Sequence, residues 1–101
     1  MARYRMEDGT VIDTQNATAT WEEKQWHDGS NWISKATGGQ WAHEQLYRSR
    51  KGRYYIERWS DWQGSKPAAE WISKPAAARW LLAQEIELPA DLAALAEEVM
   101  E

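Results

Sequence analysis

Cations crowd one short stretch of the chain. Arg48, Arg50, Lys51 and Arg53 lie almost side by side, with Tyr47, Tyr54 and Tyr55 next to them. Cations beside planar rings suit single-stranded nucleic acid, whose phosphates meet the charge and whose bases stack on the rings. The same residues suit an acidic protein surface, because Arg and Tyr are common interface anchors and Arg grips carboxylates through two donors. A third reading is structural: Lys and Arg at a hairpin end keep a sheet edge solvated. The chain as a whole is acidic, with a formal net charge of -4, whereas nucleic-acid-binding domains are usually basic. Between the two binding readings a protein partner is therefore preferred and nucleic acid is the alternative, while the solvated hairpin end outweighs either alone. The residues expected to meet it are Tyr47, Arg48, Arg50, Lys51, Arg53, Tyr55 and Trp59.

Other chemistries find less support. His43 falls near Trp59 and Glu57, and a His beside a carboxylate can act as a general base. No nucleophile or oxyanion donor accompanies it, so an ordinary packed His is preferred and no enzyme is expected. His27 and His43 lie on different strands, and Glu22 and Glu23 are adjacent, so they point to opposite faces of a strand. No metal or other cofactor is expected. Gly38-Gly39 lacks the Lys-Ser or Lys-Thr of a phosphate loop. The chain has no cysteine, which removes disulfides and thiol chemistry and favours a reducing, cytoplasmic setting. No apolar run nears the roughly 18 residues of a membrane span, and Met1 to Met6 lead into no apolar signal segment. Asn16-Ala17-Thr18 matches the glycosylation sequon, which means nothing without secretion.

The elements must then place these residues. Eight Trp and four Tyr stand against no Phe, with Val11 and Val99, five Ile and six Leu as the large aliphatics. Trp must therefore build part of the core, since each aromatic can bury roughly 150–250 Å². Charge is uneven: the middle of the chain, about 41–67, is its basic part and the C-terminal third its acidic part. That acidic end is read as a solvated helix face, with a negative patch that docks a basic partner as the alternative.

Strands are expected over Arg3 to Met6 and Thr10 to Asp13, joined by the turn Glu7-Asp8-Gly9. A third is expected over Ala17 to His27, then a short piece at Trp32-Ile33-Ser34. The clearest element is a hairpin from Trp41 to Asp61, turning at Arg50-Lys51-Gly52. Pairing Tyr47 with Tyr55, Leu46 with Ile56, Glu44 with Arg58 and His43 with Trp59 matches aromatic, aliphatic and charged partners. The alternative register sets Leu46 against Glu57. The preferred one also puts Gly52 in the left-handed position of a bulged loop. It places Glu44, Leu46, Arg48, Tyr54 and Ile56 on one face, and His43, Tyr47, Arg53, Tyr55 and Trp59 on the other. One face should lie under helices and the other be only partly covered.

Glu70-Trp71-Ile72 reads as the last strand. Ser73 then caps a helix with Pro75 in its first turn, and Trp80 should be buried against the sheet. Pro89 opens a second helix whose Leu88, Leu92, Leu95 and Val99 form one stripe. Trp21 to Lys35 and Trp59 to Lys74 share Trp, Gly-Ser and Trp-Ile-Ser-Lys elements, at different spacings. Reuse of strand-turn-strand chemistry explains this better than duplication. The fold class is α+β: one domain over 1–101, an antiparallel meander of about five or six strands over about 2–72, and one or two C-terminal helices over about 74–100 packed on one face.

The segment Leu46-Tyr47-Arg48-Ser49-Arg50-Lys51-Gly52-Arg53-Tyr54-Tyr55-Ile56-Glu57, followed by Trp71-Ile72-Ser73 and Ala77-Ala78-Arg79-Trp80-Leu81-Leu82, resembles a loose group of short uncharacterised bacterial proteins. The resemblance covers roughly the C-terminal half. It implies no activity and brings no catalytic residues. The function expected is a small non-catalytic regulatory or adaptor module that binds a protein, as a phage- or plasmid-encoded inhibitor does. A nucleic-acid-binding module is the alternative. Nothing in the sequence speaks to oligomeric state.

Overall fold

The computed structural model describes residues 3–61 and 66–95. Its strands are β1 (Arg3–Arg5), β2 (Val11–Asp13), β3 (Ala19–Glu22), β4 (Gln25–His27), β5 (Trp32–Ser34), β6 (Ala42–Arg48), β7 (Tyr54–Ser60) and β8 (Ala68–Ile72), followed by helices α1 (Lys74–Ala83) and α2 (Ala90–Ala93). The class is α+β with antiparallel sheets and C-terminal helices, as expected. The strands are more numerous and shorter than the sequence suggested. A four-stranded sheet runs in the order β3-β6-β7-β8, and β1-β2 and β4-β5 form two separate ribbons.

The β6–β7 hairpin takes the register that cross-strand chemistry favours. Tyr47 faces Tyr55, Leu46 faces Ile56, Glu44 faces Arg58 and His43 faces Trp59. Ser49 N–H donates to the Arg53 carbonyl at 2.7 Å, and Gly52 N–H to the Ser49 carbonyl at 3.0 Å. Gly52 sits at φ +84, where a Cβ would cost roughly 1–2 kcal/mol.

One face of this sheet lies under the helices and the other is partly covered by the β1–β2 ribbon. On one, Leu46, Tyr54 and Ile56 pack with Ala77, Ala78 and Leu81 of α1 and with Leu92 of α2; Trp21, Ile72 and Leu88 border them. On the other, Tyr47 and Tyr55 pack with Met6 and Ile12 of the β1–β2 ribbon. This second layer covers that face only in part, as expected, and the sequence did not show that the ribbon would be what covers it. Burying two stacked Tyr rings, 4.9 Å apart and nearly parallel, removes enough apolar area from water to hold a short ribbon in place. The ribbon is also tied down by polar contacts: Tyr4 donates to Glu57, whose other oxygen accepts from Tyr47 at 2.8 Å. Burial first, then these hydrogen bonds to a carboxylate, holds both phenols well above their usual range.

The expected third strand is broken in two. At Glu23 the side chain turns inward, 7% exposed, and its carboxylate accepts from Glu44 N–H at 2.7 Å. Lys24 N–H then donates to the Gln84 side chain at 2.8 Å. The chain leaves the main sheet there and enters the β4–β5 ribbon. Trp32-Ile33-Ser34 therefore lies in a ribbon and Trp71-Ile72 in the main sheet, so the two similar segments are not copies of one unit. Trp62 and Gly64-Ser65 lie outside the described residues, as does Val99.

Ser73 caps α1 as expected, its hydroxyl accepting from Ala76 N–H at 3.2 Å. Trp80 departs from expectation. It is half-buried at the rim of the core, with Leu81 in the fully buried position, because its indole N–H reaches out 3.0 Å to Glu44. Among the described residues no helix is long and apolar enough to cross a membrane.

Candidate binding cleft

Where the β1–β2 ribbon lies across the sheet, it stops short of the β6–β7 hairpin tip. A cleft of about 450 Å³ remains, within the roughly 300–1,000 Å³ typical of ligand sites. One wall is Thr10 to Asp13 of the ribbon. The other is the hairpin tip, with Arg50, Lys51 and Arg53. Tyr55 and Trp71, neighbours on β7 and β8, complete the lining.

The cleft gathers four of the seven residues expected at a partner site: Arg50, Lys51, Arg53 and Tyr55. The three cations are exposed. Among the described residues neither Arg50 nor Lys51 makes an ion pair. Arg53 is engaged on two sides. Its guanidinium lies 3.8 Å from the centre of the Trp71 ring, a cation–π contact, and pairs with Asp8 at 3.1 Å. Asp8 also accepts from the Thr10 hydroxyl and amide, and these bonds, with Arg53 adding to them, hold its carboxyl well below the usual range. Trp71 stands edge-on to Tyr55, with centroids 5.6 Å apart.

Tyr55 is 1% exposed, so it is a lining residue rather than a presented ring. Its hydroxyl is buried without a hydrogen-bond partner among the described residues. Burial, then the charges of Glu57 and Asp13, push its pKa up to about 12. Asp13 lines the same cleft.

The other three expected residues lie elsewhere, which corrects the sequence reading. Tyr47 is stacked beneath the ribbon with Tyr55 and is buried. Strand alternation turns Arg48 to the opposite face, where it pairs with Asp91 of α2 at 3.4 Å and donates to the Thr18 hydroxyl at 3.1 Å. Asp91 also accepts from Tyr54 at 2.7 Å, so Arg48 joins a set of contacts that fastens α2 to the sheet. Trp59 sits at the far end of the hairpin, four residues or about 13 Å along β7 from Tyr55, stacked on His43.

His43 is held more tightly than the sequence suggested, and by different acids. Its Nδ1 meets Glu23 at 3.1 Å and its Nε2 meets Asp61 at 2.8 Å. Burial alone would lower its pKa, but the hydrogen bonds to Asp61 and Glu23 outweigh that and raise it. A general base needs one ring nitrogen free to face a substrate. Both nitrogens of His43 are occupied by carboxylates, so this is an ion-pair clamp. Among the described residues no group of three or more His, Cys, Asp or Glu is placed to hold a metal ion.

Sequence reasoning missed Val11, Asp13 and Trp71 as cleft residues. Trp71 could have been found by pairing the last strand against β7. Val11, 63% exposed, carried no local signal. Comparison with protein-family models, with curated proteins and with solved structures finds no significant match.

Proposed function

We propose that this chain is a small non-catalytic regulatory or adaptor module, and that it binds a protein partner at the cleft beside the β6–β7 hairpin tip. The observation that carries this reading is the rim. Arg50 and Lys51 are exposed and without an ion pair among the described residues, and they stand over a concave surface floored by apolar and aromatic side chains. Unpaired charge around an apolar centre suits a protein interface, in which rim cations steer encounter and buried rings carry affinity. Stacking on bases is less well supported, because Tyr47, Tyr54 and Tyr55 are all buried. The same proposal sets the module in the cytoplasm, where a chain without cysteine loses nothing to reduction.

The test compares the wild-type chain with the double charge reversal Arg50→Glu/Lys51→Glu in affinity capture from the native cell. Exposed charges contribute little to folding, so both proteins should melt alike. A specific protein captured by the wild type should be lost from the variant. Retention of that protein by the variant would end the proposal. So would recovery of nucleic acid whose binding collapses between low and physiological salt.

A further inference from the structure

The Tyr55 hydroxyl has no evident role in the free protein. Replacing water at a buried hydroxyl without supplying a new partner costs stability, and most buried polar groups in folded proteins are bonded. Its neighbours in the core manage otherwise: Tyr4 and Tyr47 donate to Glu57 and Tyr54 donates to Asp91. Tyr55 alone of these four phenols is left over among the described residues, and it lines the cleft. Its phenol keeps its proton throughout the physiological range, so it is a donor awaiting an acceptor.

The walls describe the occupant further. Arg50 and Lys51 call for negative charge. Val11, Ile12 and Trp71 call for apolar surface. Asp13, also in the lining and paired with Arg3 at 3.4 Å, adds a carboxylate that a densely charged chain would have to pass. A polyphosphate backbone brings a charge at every step and meets that carboxylate. A peptide brings one carboxylate where the cations are and apolar side chains elsewhere.

We propose that the cleft seats a short acidic peptide segment of the partner: an Asp or Glu carboxylate meets Arg50 and Lys51, a large apolar neighbour covers Val11 and Trp71, and a peptide oxygen accepts from the Tyr55 hydroxyl. This rests on the partner-binding reading above and specifies its ligand. The hydroxyl is closed over in the free chain. Rotamer changes at the rim, common when interfaces form, open it.

Selection of random peptides on the immobilised full chain tests this. Asp or Glu beside a large apolar residue should dominate the bound sequences. No enrichment, or enrichment lacking acidic residues, overturns the inference. The most enriched peptide is then the probe. Tyr55→Phe should weaken it roughly two- to tenfold, the share of one neutral hydrogen bond, with an unchanged or higher melting temperature. A residue whose hydroxyl merely supports the fold would instead lower the melting temperature. Val11→Asp, an exposed change, should weaken the probe without unfolding the chain. If Arg50→Glu/Lys51→Glu abolishes peptide binding while Tyr55→Phe and Val11→Asp leave it unchanged, the cleft occupancy is wrong and the rim reading survives. If all three variants bind as the wild type does, the rim reading fails as well.

Discussion

Glu23→Gln isolates the ion-pair clamp on His43. Glu23 and His43 have side chains only 7% and 12% exposed, whereas Asp61 is 54% exposed. The Glu23 arm is therefore the less screened half. A glutamine keeps a carbonyl oxygen for Glu44 N–H but turns an amide N–H₂ toward Nδ1. Against an imidazolium that is donor facing donor; against a neutral ring, protonated on Nε2 toward Asp61, it is a satisfied hydrogen bond. Hydrogen bonds to charged groups contribute about 1.5–3 kcal/mol, and Asp61 retains its share, so a loss of about 1–2 kcal/mol is expected when His43 is charged. The folded-state pKa of His43 is raised, so its stabilisation is fully present below the ordinary value near 6.5 and is lost as pH rises through the folded value. Thermal melts at about pH 6 should thus show the variant roughly 4–16 °C below the wild type. The gap should close or reverse at alkaline pH. NMR titration should find His43 of the variant titrating lower than in the wild type. A gap of the same size at every pH, or none at about pH 6, would refute the clamp.

Two further substitutions test the local geometry. Ser73→Ala removes the acceptor of Ala76 N–H at the start of α1 and should cost about 0.5–2 kcal/mol in urea unfolding; an unchanged midpoint would show that the cap is dispensable. Gly52→Ala forces a side chain onto φ +84 and brings its Cβ to 3.4 Å from the Arg48 guanidinium, so about 1–2 kcal/mol should be lost; a neutral result would mean that the loop rearranges freely.

What the sequence made legible was local. The register of β6–β7 follows from matching side chains across one short loop, and Gly52 confirms it by being the residue that such a loop needs. The start of α1 follows from Ser73 and Pro75, two residues apart. What stayed hidden was long-range. Tyr4 meets Glu57 across 53 residues of sequence, and nothing in two short N-terminal strands announces that they will lie over Tyr47 and Tyr55. The break at Glu23 was equally hidden, because its causes, Glu44 N–H, His43 and the Gln84 side chain next door, come from two other elements.

The candidate site divides along the same line. A β-hairpin shows its own cations, so Arg50, Lys51 and Arg53 could be named from a single stretch of sequence. Alternation already set Arg48 on the opposite face from Tyr47 and Tyr55, and closeness in sequence was the wrong reason to group them. A cleft, however, needs two walls. The second wall here belongs to a ribbon some forty residues upstream, and with it came Val11, Asp13 and the burial of Tyr55. That burial changes what the hairpin can do. With its rings exposed, the tip would have been a stacking platform for bases; with them covered, what the described residues present at the edge of an apolar recess is the charge and the unpartnered Tyr55 hydroxyl. That chemistry suits the proposed ligand, a peptide with sparse charge and apolar flanks, better than a polyphosphate.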